Sequence, residues 1–140
     1  MQRTFWILLG ATLVSWLIMN LGTVPRIEEL SDGLRLLDMR FTGYSFEEAR
    51  DFVAAIGDEG AALYLGAQFW LDMVFPPLLG AVLLICYLYL FPRWIGWAMG
   101  AGALAYVIVD YLENFAIAAM LRIGAEGMTQ EMAAIAKFSR

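Results

Sequence analysis

The sequence predicts an all-α membrane protein with three transmembrane helices, a signal-anchor helix followed by a helical hairpin, under an extramembrane cap built on an amphipathic helix. Three observations carry this. First, 61% of the 140 residues are hydrophobic and only 16% are charged, against roughly 45–50% and 25% in a soluble domain. Second, three apolar runs each reach the roughly 20 residues that a bilayer crossing needs. Third, the charges are segregated: residues 25–60 hold nine of the fourteen acids and four of the arginines.

The first run, about 4–24, follows Arg3 and is interrupted only by Ser15, Asn20 and a few threonines. A basic residue before an apolar run is the form of a secretory signal, but no small-x-small cleavage pattern follows. It therefore reads as an uncleaved signal anchor. In the cap, 25–60, a short helical turn after Pro25 should end near Gly33. Ser45-Phe46-Glu47-Glu48 has the Ser-x-x-Glu form of a capping box. Phe46, Ala49, Phe52, Val53 and Ile56 then recur at helical spacing, and Gly57 fits a C-terminal stop. The spacing predicts an amphipathic helix over 46–56, lying on the membrane surface or on the helix ends. The segment lacks the Ser/Gly/Pro-rich composition of a flexible linker.

The second run, about 61–91, contains Pro76-Pro77, a pair that should kink it. Pro92-Arg93 makes the turn, and the third run occupies about 94–121. So short a connection forces an antiparallel hairpin. The third helix opens on Gly96, Ala98, Gly100, Gly102 and Ala103. Gly96 and Gly100 form a small-xxx-small pair that lets helix backbones approach, within this chain or against a partner. Thr129 can cap a last interfacial helix, about 129–140, with Met132, Ile135 and Ala136 on one face and Lys137 and Arg140 near its end. No internal repeat or low-complexity tract is present.

Asp72, Asp110 and Glu113 are acids inside apolar runs, where charge is costly and faces a bundle interior or a wet site. Gln68, Asn114 and Asn20 are their polar neighbours. Counting equal steps back from Pro92-Arg93 puts Asp72 and Glu113 at one level, about 30 Å from the turn at a rise of about 1.5 Å per residue. Asp110 lies about a turn deeper, and Asn20 falls at a similar height on the first span. Tyr64, Gln68 and Asp72 repeat every four residues; Tyr106, Asp110, Glu113 and Asn114 share one stripe. Two polar stripes at one depth predict a single cluster at the membrane boundary beneath the cap. It can hold a proton or bind a cation, its oxygen donors suiting Mg or Ca better than zinc. The structural alternative, which the boundary depth favours, is that Arg26, Arg40 or Arg122 neutralises the acids and pins the cap down.

Composition excludes several classes. A net charge of −5 argues against a nucleic-acid partner. The absence of histidine removes the commonest metal ligand, haem ligand and general base together, and no metal-ligand set is found. Cys86, the single cysteine, reads as a small apolar residue. Trp6, Tyr87, Tyr89, Phe91, Trp94 and Trp97 form the aromatic belt of a membrane interface. Orientation is contested. Basic residues alone place the cap in the cytoplasm, whereas Glu28, Glu29 and Asp32 after the first span point to the N-terminus inside.

The function expected first is a non-catalytic accessory or assembly subunit of a larger integral membrane complex, such as a respiratory or photosynthetic one, in a bacterial inner membrane. Its partners would be other membrane proteins and the bilayer. The alternative is a small proton- or cation-coupled transport protein using Asp72, Asp110 and Glu113. A lipid enzyme with Asp110 and Glu113 as acid and base has no nucleophile or phosphate motif behind it, so no enzyme is expected. No cofactor is evident, with a bound lipid, quinone or pigment left open, as are the oligomeric state and a fourth span supplied by the assembly.

Overall fold

In the computed structural model, which describes residues 2–40 and 43–138, helices carry all the regular structure and no strand occurs among the described residues. Three helices are long and apolar enough to cross a membrane: α1 (Gln2–Leu30), α3 (Gly57–Leu90) and α4 (Arg93–Ile123). Two shorter ones, α2 (Phe46–Ala55) and α5 (Gln130–Phe138), belong to the cap end. Ser139 and Arg140, the end of the expected 129–140 helix, lie outside the described residues.

The first span does not stop at Val24 as its sequence predicts. A proline ring collides with the carbonyl four residues back and normally ends a helix. Here the turn just before it, Met19–Thr23, widens to π geometry, with the Val24 N–H bonded to the Met19 carbonyl. That wider turn accommodates Pro25, and the helix runs on to Leu30. It then closes as expected near Gly33, whose N–H bonds the Glu28 carbonyl at 2.7 Å and whose φ of +81° suits glycine.

Ser45 caps α2 with both bonds of the capping box: its side chain accepts from the Glu48 N–H, and its own N–H donates to the Glu48 carboxylate. Gly57 stops α2 only for one residue. Its φ of +62° turns the chain, and α3 begins there, four residues ahead of the expected start at 61. α3 carries its own π turn, Tyr64–Gln68. It continues through Pro76-Pro77, and the carbonyl of Met73, which Pro77 cannot serve, accepts the Tyr111 hydroxyl at 2.6 Å. Pro92 opens α4, and Gly124, at φ +77°, closes it. Thr129 caps α5 through the Met132 N–H.

α3 is the helix against which both α1 and α4 pack. Along α3 and α4 the contacts run in opposite directions. Phe69 stacks on Phe115 far from the turn, and Gly96 meets Tyr87 and Leu88 beside it. A Cβ on Gly96 would lie 2.9 Å from the Tyr87 carbonyl oxygen and 3.1 Å from the Leu88 Cα, so the two backbones touch. Gly100 faces only the side chain of Leu84, so the close backbone approach is at Gly96.

The buried apolar core sits at the cap end. Leu36, Leu37, Phe52 and Ile56 pack there on Ile27 of α1, Tyr64 of α3 and Ile117 and Met120 of α4. Most residues in the apolar stretches of the three long helices are, in contrast, not buried by the protein. Trp6, Tyr89, Trp94 and Trp97 are exposed at the opposite end, as an aromatic belt requires.

Candidate functional site

The two π turns lie side by side, and the last residue of each makes the contact between them. The Thr23 hydroxyl donates to Gln68 Oε1, and Gln68 Nε2 donates to Asp72 Oδ1 at 2.9 Å. Thr23, Gln68 and Asp72 are all buried. This hydrogen-bonded row links α1 to α3 and ends on a carboxylate whose second oxygen, Oδ2, is buried with no partner.

α4 brings the other half. Asn114 Nδ2 donates to Asp110 Oδ2 at 2.9 Å, leaving Asn114 Oδ1 buried without a partner. Glu113 is buried, 6% exposed, and Asp110 is half-buried. The half-exposed Tyr106 precedes Asp110 by one turn on the same helix. The α3 and α4 halves meet at this level, where the Tyr111 hydroxyl bonds the Met73 carbonyl and Phe69 packs edge-on against Phe115.

The cap closes it. Asp38, in the 3-10 turn Leu37–Met39, and Tyr44 from the following loop lie within electrostatic reach of Tyr64. Tyr64 is wholly buried, stacked edge-on against Phe52 of α2, and its hydroxyl has no partner. Asp72 and Glu113 also act on it. Tyr64 joins α3 to the cap through its packing on Phe52.

Five of the six expected polar residues, Gln68, Asp72, Asp110, Glu113 and Asn114, come together. Asn20 bonds back to the Trp16 carbonyl of its own helix at 2.9 Å, and Thr23 takes the α1 place instead. The extra residue of a π turn rotates the rest of the helix by about 100°, one residue's share of a helical turn. Asp38 and Tyr44 escape a reading of the sequence because they sit in irregular backbone, where no period marks a face.

Arg26 is committed elsewhere, to exposed pairs with Glu29 at 2.7 Å and Glu59 at 2.9 Å that tie the end of α1 to the start of α3. Arg40 donates to the Arg35 carbonyl and lies 3.9 Å from Glu48. Arg122 is exposed near the end of α4.

No family model, curated protein or solved structure matches this chain. Among the described residues no three His, Cys, Asp or Glu side chains are placed to hold a metal ion together. The cluster instead offers separate buried carboxylates interleaved with amide and phenol groups, with more acceptor oxygens than donors.

Proposed function

We propose that this chain is an integral membrane protein that takes up a proton or a cation at the cluster of Asp72, Asp110 and Glu113, in the service of proton- or cation-coupled transport. The observation that carries the reading is the buried row Thr23–Gln68–Asp72, ending on an orphaned carboxylate oxygen. Burying such groups costs several kcal/mol each and is retained where they are used. Paired π turns at that level add to it, since π turns concentrate at functional sites.

In this reading α1, α3 and α4 cross the bilayer of a bacterial inner membrane, α3 and α4 as a hairpin. In it the cluster lies at the cap-side boundary, Asp72 about 27 Å from the α3 end of the turn and Glu113 about 30 Å from the α4 end. α1 and α4 both pack chiefly on α3. The path across is completed by further copies or by partner membrane proteins. No catalysis is assigned. The side-open groove of about 530 Å³ between α1 and the end of α3, lined by Phe5, Trp6, Ile85 and Leu90, suits a lipid chain better than a quinone or pigment head.

The test is ion flux. Full-length protein is reconstituted in liposomes with a pH-sensitive dye inside, and proton and sodium gradients are imposed in turn. The reading expects flux that Asp72→Asn and Glu113→Gln both abolish. Flux equal in wild type and both variants, or none under any gradient, overturns it.

A second reading, a non-catalytic accessory subunit, is favoured by one observation. A groove of about 380 Å³ on the α3–α4 face is lined by the small residues Gly80, Ala81, Gly100 and Ala101 and by the exposed Trp97, a lining that suits a neighbouring helix. Recovery of unlike membrane subunits with the tagged chain in mild detergent supports this reading. A homo-oligomer argues against it.

A further inference from the structure

The end of the molecule away from the cap is charged in one sense only. Arg3 and Arg93 are the only charged side chains in residues 1–25 and 73–109. Both are exposed, and neither makes an ion pair among the described residues. The acids nearest this end are Asp72 and Asp110, about 27 Å along α3 from Leu90 and about 26 Å along α4 from Arg93. Any counter-charge for the two arginines therefore comes from outside the chain.

A groove lies at the same end. It encloses about 530 Å³ between α1 and α3, lined by Gln2, Phe5 and Trp6 on one side and by Cys86, Tyr89 and Leu90 on the other. Each trio is spaced i, i+3, i+4 and so forms one helical face. Cys86 lies about 6 Å deeper than Leu90. The groove therefore runs inward from the interface, which the exposed Trp6 and Tyr89 mark. Covalent geometry keeps both arginines at its rim. Arg3 follows Gln2 directly, and the three steps from Leu90 to Arg93 span at most about 11 Å between Cα atoms.

The lining selects the occupant. A neighbouring helix needs small residues to approach, and these walls carry Phe, Trp, Tyr and Leu. They suit a flexible acyl chain. A neutral lipid leaves the two positive charges unmatched, whereas an anionic headgroup matches them and its phosphate accepts charge-assisted bonds from guanidinium groups. We propose that this groove binds an anionic phospholipid, one acyl chain between α1 and α3 and the phosphate at Arg3 and Arg93. The inference takes only the bilayer crossing from the proposed function. The groove lies at the opposite end from Asp72 and needs no ion uptake.

The experiment uses the purified full-length protein in mild detergent. Phosphatidylglycerol and phosphatidylcholine with identical chains are titrated in turn, and bound lipid is counted by native mass spectrometry. The proposal expects saturable binding of phosphatidylglycerol, about tenfold or more tighter than that of phosphatidylcholine. The anionic lipid should also raise the melting temperature, as a ligand of the folded state does. Arg3→Gln and Arg93→Gln should each weaken phosphatidylglycerol binding about fivefold and leave phosphatidylcholine binding unchanged. Arg122→Gln, the same loss of charge at the cap end, should bind as wild type. Cys86→Phe, which fills the groove, should weaken both lipids; the exposed arginine variants carry the test if it does not fold. Equal affinity of the wild type for the two lipids overturns the assignment, and so does a preference that both arginine variants retain. A loss in Arg122→Gln as large as that in Arg93→Gln, or binding indifferent to a folded Cys86→Phe, overturns it too. No flux enters these readouts, so failure here leaves ion uptake standing, and failure of ion uptake leaves the lipid site standing.

Discussion

Replacing Gly96 by alanine should loosen the contact between α3 and α4, whereas the same change at Gly102 should not. The new methyl at Gly96 would sit 2.9 Å from the Tyr87 carbonyl oxygen and 3.1 Å from both the Leu88 Cα and its Cδ2. Two of these three atoms are backbone, so no rotamer change removes the clash, and α4 must withdraw by about half an ångström. A gap of that order forfeits about a quarter of the attraction of every atom pair along the seam. Overpacking of this kind costs about 1–3 kcal/mol. Alanine returns up to about 1 kcal/mol by its better helix propensity, less in a first turn. The balance is a loss of about 1–2 kcal/mol, or roughly 5–30-fold in the unfolding equilibrium. At Gly102 a new methyl would meet nothing within 4 Å, so only the propensity gain remains. The assay is equilibrium unfolding in mixed micelles, followed by circular dichroism. Equal or greater stability of Gly96→Ala, or an equal loss in Gly102→Ala, would refute the close backbone contact.

Other outcomes rest on single bonds. Tyr111→Phe strands the Met73 carbonyl that Pro77 cannot serve and should cost about 1 kcal/mol. The double change with Pro77→Ala should recover most of that, because the alanine N–H takes the carbonyl, and a thermal-melt double-mutant cycle reads the coupling. Gln68→Leu removes the donor to Asp72 and the acceptor of Thr23 together and should cost about 2–4 kcal/mol; unfolding no easier than wild type would contradict the buried row. Ser45→Ala deletes one arm of the capping box and should cost about 1 kcal/mol. Hydrogen exchange should show the loss concentrated in the first turn of α2.

Local chemistry makes the cap helix legible from sequence. A Ser-x-x-Glu followed by apolar residues at helical spacing has one stable arrangement, and α2 adopts it. The shared level of Asp72 and Glu113 is legible because a two-residue connection fixes the register of antiparallel helices. Sequence and structure part where the backbone departs from its usual rule. Pro25 reads as a helix end, yet the π turn before it absorbs the clash. Gly57 reads as a stop, yet its left-handed φ turns a corner and the next helix starts at once. Neither π turn leaves a mark in composition, so the one-residue phase change that replaces Asn20 by Thr23 cannot be counted from the sequence. Asp38 and Tyr44 reach the cluster from a loop held by the burial of Leu36 and Leu37, a tertiary contact with no period to betray it. Helical spacing puts Tyr64 on the right stripe, but its burial comes from Phe52, another long-range contact.

The central claim is that charge enters the Asp72 cluster from solution, and charge displacement measures that most directly. Proteoliposomes adsorbed on a solid-supported membrane are exposed to a rapid jump in Na+ and, separately, in acidity. Charge moving into the site registers as a transient current whether or not transport is completed. The account predicts a saturable transient on at least one of the two jumps in wild type, lost in Asp72→Asn and in Glu113→Gln. Transients of the same size in wild type and Asp72→Asn, or none on either jump, would contradict it.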